Sequence, residues 1–376
     1  MLAGWHFDPS FRLVHDGPPL RELLADAANR VDVHVLAWAG APLPLFSPSR
    51  RTVRTERDQI VNGTKIRMAL DAHERPMHCH HEKIALVDGR IAYVGGIDLT
   101  ALAGNRRDHS GHPARQGLGW HDVTARIEGP IVADVRDHLA MRWVEVTGEA
   151  LPSVGEPQSA GTTEAQFVRT IPNDVYQRVP KGDFRILESY LRAVHAAQRF
   201  VYLESQFLWS PELIAVLAQK LREPPSPDFF VVVLLPARPN NGADDTRGQL
   251  GVLVDADRDE RFLACTLYQP EDQGQVYVHA KVGIVDDRWL TIGSANLNEH
   301  SFFNDSEACL VTCDTDLVQA TRLRLWREHL EHDEPTFETW RARADDDAYD
   351  RLRRLPHVSR RVRRLFGPIN GLLVDG

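Results

Sequence analysis

Two stretches of this chain, about two hundred residues apart in sequence, obey one ungapped pattern, and that repeat limits the possible folds more than any other feature. The first reads His81-Glu-Lys-Ile-Ala-Leu-Val-Asp-Gly-Arg-Ile-Ala-Tyr-Val-Gly-Gly-Ile-Asp98. The second reads His279-Ala-Lys-Val-Gly-Ile-Val-Asp-Asp-Arg-Trp-Leu-Thr-Ile-Gly-Ser-Ala-Asn296. Both fit H-x-K-x4-D-x6-G-[GS]-x-[DN]. A lone H-x-K carries no information, whereas six specified positions held twice do.

The similarity extends upstream. The apolar run 31–37 (Val-Asp-Val-His-Val-Leu-Ala) has its counterpart at 229–235 (Phe-Phe-Val-Val-Val-Leu-Leu), and 2–7 parallels 201–207. Helical patterns fill the gaps at 20–28 and 213–221. Alternating strands and helices predict an α/β class, with a sandwich in each half. The Pro/Gly/Ser-rich stretch 148–163 is the expected linker, giving an N-terminal lobe 1–150 and a C-terminal lobe 151–376. The second half carries a helical segment at 183–198 before its first strand, while the first half opens directly on the strand. Two readings follow: a missing N-terminal helix of roughly 20–30 residues, or a naturally short start.

Composition excludes several classes. Apolar residues at 43% and charged residues at 26% describe a soluble globular chain. No run of about eighteen apolar residues is present, and the first residues lack the basic flank of a signal peptide. Four scattered cysteines make no disulfide framework, so a reducing, cytoplasmic setting is expected, and nothing points to an oligomer rather than a monomer. A formal charge of −9 disfavours nucleic acid as a partner.

Strand alternation points His81 and Lys83 the same way, and likewise His279 and Lys281. Asp88-Gly89 reads as a two-residue hairpin turn, which pairs Val87 with Arg90 and sets Gly96 opposite His81. The same count sets Ser294 opposite His279. Small residues there would leave room for a phosphate, with Asp98 and Asn296 just beyond to bind it. Asp88 lies seven residues from His81, roughly 23 Å at about 3.3 Å per residue, so it and Asp286 are expected to be structural. Each histidine still needs a carboxylate to fix its tautomer. Asp122, entering the strand 123–127, is the candidate for His81. Glu307, entering 308–312, is the candidate for His279. The stretch 105–119 reads as an inserted loop.

Two imidazoles, two lysines and an amide at one spot suit a phosphodiester. Lys and Asn would hold the non-bridging oxygens, one neutral histidine would attack phosphorus, and the other would protonate the leaving oxygen. No metal or other cofactor is required. Symmetry does not choose between the histidines. The alternatives are a phosphate-recognition module without turnover and a nuclease.

These residues resemble the phospholipase D superfamily over nearly the whole chain. Trp120-His-Asp-Val, Gly129-Pro and Arg142-Trp143 are similar to the segment after its first motif. Tyr202-Leu-Glu-Ser-Gln-Phe207 is similar to its Y-[IL]-E-N-Q-[YF] element, and Ile292-Gly-Ser-Ala-Asn-Leu-Asn298 is close to a family consensus. The resemblance implies two lobes with mixed sheets related by pseudo-twofold symmetry, the site at their interface, His81 as nucleophile and His279 as general acid. It implies a phospholipid substrate, hydrolysed or transphosphatidylated. Gln206 is a further substrate-binding candidate, and Glu204 is either functional or a loop cap. Asp98, standing where the second copy has Asn296, is awkward beside a phosphate unless it bonds a protein donor.

The cluster His78-Cys79-His80-His81 admits a metal reading, but alternation sets His78 and His80 opposite His81, which favours a buried pair. Residues 351–364 hold seven arginines among leucines and valines at helical spacing. That run would form either a terminal helix packed on the lobe or a basic helix in peripheral contact with an anionic membrane.

Overall fold

The computed structural model describes residues 1–14, 16–42, 47–76, 78–100, 119–240, 242–268 and 274–357. The inserted loop at 105–119, apart from its last residue, and the tail beyond 357 lie outside the described residues.

The first half contributes strands β1 (Leu2–Gly4), β2 (His34–Trp38), β3 (Arg67–Asp71), β4 (Ile84–Val87), β5 (Ile91–Gly95), β6 (Gly119–His121) and β7 (Thr124–Glu128). Its helices are α1 (Leu20–Ala28), α2 (Arg50–Val61) and α3 (Val132–Thr147). Six of the strands form a mixed sheet in the order β3-β2-β1-β4-β5-β7, the first three parallel and the rest antiparallel. The five residues of β2 are all buried, which explains its unbroken apolar run without alternation.

The second half repeats this order. Its strands are β8 (Ala165–Ile171), β9 (Asp183–Phe184), β10 (Phe200–Glu204), β11 (Phe230–Leu234), β12 (Phe262–Tyr268), β13 (Gln275–Val278), β14 (Val282–Val285), β15 (Trp289–Gly293), β16 (Glu307–Thr312) and β17 (Leu352–Arg354). Its helices are α4 (Arg185–Ala196), α5 (Pro211–Arg222), α6 (Ala243–Ala256), α7 (Thr315–Leu330) and α8 (Phe337–Asp345). The sheet runs β12-β11-β10-β14-β15-β16, the same sequence of parallel and antiparallel pairs as the first. Helix α4 buries Ile186, Leu187, Tyr190, Ala193 and Val194, the spacing of one helical face, against this sheet. Helix α5 starts where Ser210 accepts the Leu213 N–H and Pro211 occupies the first turn, a position where its missing N–H costs nothing. Residues 149–164 form no helix or strand.

The halves are stitched together by crossed strands. Strand β6, from the first half, pairs in parallel with β13. Strand β8 pairs with β16, and its Phe167 packs with Ala92, Val94 and Trp143 of the first half.

Two expectations fail here. The hairpins hold three residues in the turn, not two. Val87 pairs with Ile91 and Val285 with Trp289, while Arg90 and Arg288 stay in the turn, their N–H groups bonded to Val87 and Val285. Asp88 (φ 52°) with Gly89 (φ 64°), and Asp286 (φ 55°) with Asp287 (φ 56°), supply the left-handed pair that either turn length uses. One added residue slips the register by one, so Gly95 and Gly293 bond Lys83 and Lys281, and Gly96 and Ser294 do not face the histidines. The second failure is the C-terminal run. Its start, β17, is a strand antiparallel to β12, because Leu352 buries into the core beside Trp340 and Tyr349.

Candidate active site

The chain enters each histidine through the opposite half. The Ser306 carbonyl accepts the N–H groups of His81 (2.9 Å) and Glu82 (3.1 Å). The His121 carbonyl likewise accepts those of His279 (2.8 Å) and Ala280 (3.0 Å). Ser306 precedes Glu307 and His121 precedes Asp122, so each strand that reaches across delivers a carboxylate to the foreign histidine. Glu307 Oε1 lies 3.0 Å from His81 Nδ1, and Asp122 Oδ2 lies 2.8 Å from His279 Nδ1.

The expected partners are therefore exchanged. Asp122 serves His279 and Glu307 serves His81, because β6 leaves its own half to pair with β13 and residues 304–306 approach residues 78–81. Nothing in the spacing within one repeat reveals a crossing between repeats.

Gly96 and Ser294 take corrected roles from the same geometry. A Cβ on Gly96 would collide with Asp122 Oδ1, so the glycine makes room for the carboxylate rather than for a phosphate. At the matching position, Ser294 donates its hydroxyl to Glu307 Oε2 (2.5 Å). Ser301 donates to Glu307 Oε1 (2.5 Å) from a π-helical turn spanning His300–Asn304. Ser301 escaped the sequence reading because the only signal for it is its place five residues after Asn296.

The lysines are buried beside their histidines. Lys83 Nζ donates to the His81 carbonyl (2.6 Å), and Lys281 Nζ donates to that of His279. Lys83 also lies 3.3 Å from Asp98 Oδ2, which supplies the donor that a carboxylate here requires. Asn296 is buried and bonded within the second half: its Oδ1 accepts the Gln206 N–H (3.3 Å) and its Nδ2 donates to Gln206 Oε1 (3.4 Å). Gln206 in turn donates to the Tyr277 hydroxyl (2.7 Å). The Trp120 ring stacks on Tyr277 and lies 4.9 Å from His279, an aromatic wall on that side.

The motif groups share one electrostatic environment. Burial lowers His279 to about 4, helped by the charges of Lys281 and Lys83 and opposed by Asp122. Burial lowers Lys281 to about 7; Lys83 pushes the same way, while Asp122, Asp98 and Glu307 oppose. Burial pushes Glu307 up to about 8 against Lys83 and the two serine hydroxyls. Burial would also raise Asp122, but His279 and Lys281 hold it below the usual carboxylate range. Lys83, paired with Asp98, and Lys281 act on one another across a shared region, which favours an anion there.

The remaining motif residues are structural. Asp286 accepts the backbone N–H groups of Gln198, Arg199 and Phe200 (2.7–2.8 Å), fixing the start of β10, and Asp287 pairs with Arg322 at 2.6 Å. Asp88 is exposed in its turn. Glu204 is buried and accepts from His121 (2.7 Å) and the Tyr202 hydroxyl (2.5 Å). Glu82, the middle residue of the first H-x-K, is buried against His138 (2.6 Å) and Arg142. His80 turns to Ser306 (3.0 Å) and His78 to His300 (3.0 Å). Among the described residues no helix is long and apolar enough to cross a membrane.

A repeated mixed sheet with two H-x-K histidines held by exchanged carboxylates defines the class, and comparison with known proteins agrees. The family model described as "Cardiolipin synthase, PLD-like domain" matches residues 191–328. Cardiolipin synthase A of Pseudomonas fluorescens is 28% identical over 367 residues, covering 96% of this chain and 69% of that protein. Phospholipase D A of Dictyostelium discoideum is 23% identical over 436 residues, covering 88% of this chain and 33% of that protein. The crystal structure of phosphatidylserine synthase from Haemophilus influenzae superposes with a TM-score of 0.57 at 12% identity, covering 99% of this chain and 87% of that one, a likeness of fold. The matched family model and these relatives support the phospholipase D superfamily as the family of this chain. It spans about a third of the Dictyostelium phospholipase and 53% of cardiolipin synthase A from Pseudomonas putida.

Proposed function

We propose that this chain cleaves phospholipid phosphodiester bonds through a covalent phosphohistidine, passing the phosphatidyl group to water or to an alcohol. The observation that carries the reading is the pair of exchanged His–carboxylate bonds. With Nδ1 of each ring committed to a carboxylate, Nε2 is the nitrogen each ring offers to chemistry. The lobes 1–150 and 151–376 would each supply one histidine and orient the other's. The named similarities to cardiolipin synthases and phospholipases D support a phospholipid as substrate.

In the proposed sequence, neutral His81 attacks phosphorus, the P–N bond forms and the P–O bond to the headgroup breaks. His279 gives its proton to the departing headgroup oxygen. Water or an alcohol then attacks the same phosphorus, His279 takes its proton back, and the P–N bond breaks. Lys83, Lys281 and Asn296 are the proposed holders of the non-bridging oxygens. The choice of His81 as nucleophile follows the family resemblance. A neutral His279 in the free chain also admits the reverse assignment, so the phosphoenzyme itself decides.

The test is headgroup release from a panel of phospholipids by wild type, H81A and H279A, with acid-free trapping of the phosphoenzyme. Wild-type turnover lost by about three orders of magnitude or more in both variants is expected, with phosphate on the peptide bearing His81. Label on the peptide bearing His279 reverses the two roles. No release from any phospholipid by wild type overturns the lipid assignment.

A further inference from the structure

Behind the His81–Glu307 pair lies a second cluster that the proposed chemistry does not use. His78 Nδ1 and His300 Nδ1 face each other at 3.0 Å, and Asp305 Oδ1 lies 3.5 Å from His78 Nδ1. All three residues are buried, and their ligating atoms fall within 4.8 Å of one another. The residues come from both halves: His78 precedes the first motif, while His300 opens the π-helical turn after the second and Asp305 follows it.

Hydrogen bonding alone leaves this cluster in conflict. A neutral imidazole Nδ1 either carries one proton or offers one lone pair. If His78 Nδ1 donates to Asp305, it cannot accept from His300. If it accepts from His300, its lone pair is turned toward the Asp305 carboxylate. Only a His78 N–H shared between the His300 lone pair and Asp305 Oδ1 avoids a repulsive contact, and it divides one weak donor between two acceptors. Asp305 already accepts the Cys79 N–H on Oδ1 (2.8 Å), and its buried Oδ2 has no hydrogen-bond partner among the described residues. A cation at the centre resolves the conflict, because all three groups then present lone pairs to it. Two imidazole nitrogens and a carboxylate oxygen are a donor set suited to Zn²⁺. Separations near 3.0–3.5 Å are about the edge lengths of a tetrahedron with bonds of roughly 2.0–2.1 Å.

We propose that His78, His300 and Asp305 form a zinc site that ties the segment before His81 to the segment before Glu307. Its place is structural. Asp305 is followed by Ser306, whose carbonyl holds His81, and then by Glu307, which orients it. The ion would clamp the crossing that builds one half of the active site. A second buried group, His121–Glu204–His329, lacks this conflict, because Glu204 accepts from His121, His329 and Tyr202 together.

The test is metal content of the full chain after saturation with Zn²⁺ and exhaustive dialysis, in wild type, H300Q, D305N and the control H329Q. About one equivalent in wild type and H329Q, falling to background in H300Q and D305N, is expected. Equal retention by wild type and H300Q, or none by wild type, overturns the site. Because substitution of a buried residue also disturbs its surroundings, Co²⁺-loaded wild type provides an independent reading. Intense visible bands of four-coordinate Co²⁺ support the site, and the weak spectrum of a six-coordinate ion overturns it.

Discussion

His81 Nδ1 lies 3.0 Å from an oxygen of Glu307, a residue 226 positions later in the chain, and not from the carboxylate that follows its own motif. The exchange makes a chemical prediction that separates the two histidines. Removing the carboxylate of a His–Asp pair costs about 10²- to 10⁴-fold in turnover, since ring tautomer and orientation are lost. Both E307Q and D122N should fall in that range with a natural phospholipid. A p-nitrophenyl phosphodiester needs little help from an acid to expel its leaving group. With His279 as the acid, D122N should recover most of its loss on that substrate and E307Q should not. Recovery in E307Q alone would reverse the roles of the two histidines.

Gly96 gives the same prediction from the other side of Asp122. A methyl group there collides with Oδ1 and displaces the carboxylate from His279. G96A should behave as D122N does, losing at least about tenfold on phospholipid and regaining it on the p-nitrophenyl ester. S294A only removes one of the two hydroxyls on Glu307, so a smaller loss is expected. A G96A enzyme with wild-type turnover on phospholipid would show that Asp122 does not need its present position.

Most of this architecture is legible in the residues, and the parts that are not share a cause. The runs that become β1, β2, β10 and β11, and helix α1, follow from local apolar pattern, and the repeated spacing marks both H-x-K pairs. Turn length is less accessible, because Asp88-Gly89 suits a hairpin of two residues or of three, and the one-residue slip moved Gly96 and Ser294 away from the histidines. The exchange of Asp122 and Glu307 depends on β6 crossing to β13, a contact between residues 157 apart in the His279–Asp122 bond. Reading each repeat as self-contained assigns each carboxylate to the wrong ring. Leu352 fits a helix or a strand equally well over so short a span, and packing beside Trp340 decided for the strand.

Anion binding should be linked to proton uptake. Lys281 sits at about 7 and His279 at about 4 among protein groups alone. An oxyanion beside Lys281 and His279 favours the protonated form of each and raises both values. Affinity should then fall as pH rises above about 7, as the protein must bind a proton that it no longer holds. Calorimetric titration with tungstate just above neutral pH, in two buffers of different ionisation enthalpy, should report uptake on the order of half a proton. K281A should lose most of it. Proton release in wild type would contradict the placement of Lys281 at the anion.

Arg142 is expected to carry the first lobe's stability. Its guanidinium is buried between two carboxylates, pairing with Glu82 and with Asp71 Oδ2 at 2.7 Å, and it donates to the Tyr176 hydroxyl at 2.7 Å. Burial would lower it, yet Tyr176 and Asp71 raise it above its ordinary value, and Asp71 is held well below the carboxylate range by His80 and Arg142 against its own burial. Arg142 and Asp71 therefore stay charged at neutral pH. R142M keeps the volume but takes the guanidinium from two buried carboxylates, and removal of one member of such a network costs about 3–5 kcal/mol. Denaturant unfolding should show a midpoint lowered accordingly. Glu82 is the middle residue of the first H-x-K, so neutralising it as well, in R142M/E82Q, should restore part of the loss, because contacting residues are coupled. A loss below about 1 kcal/mol in R142M, or no recovery in the double variant, would show that the carboxylates find other partners and that α3 is not anchored through Arg142.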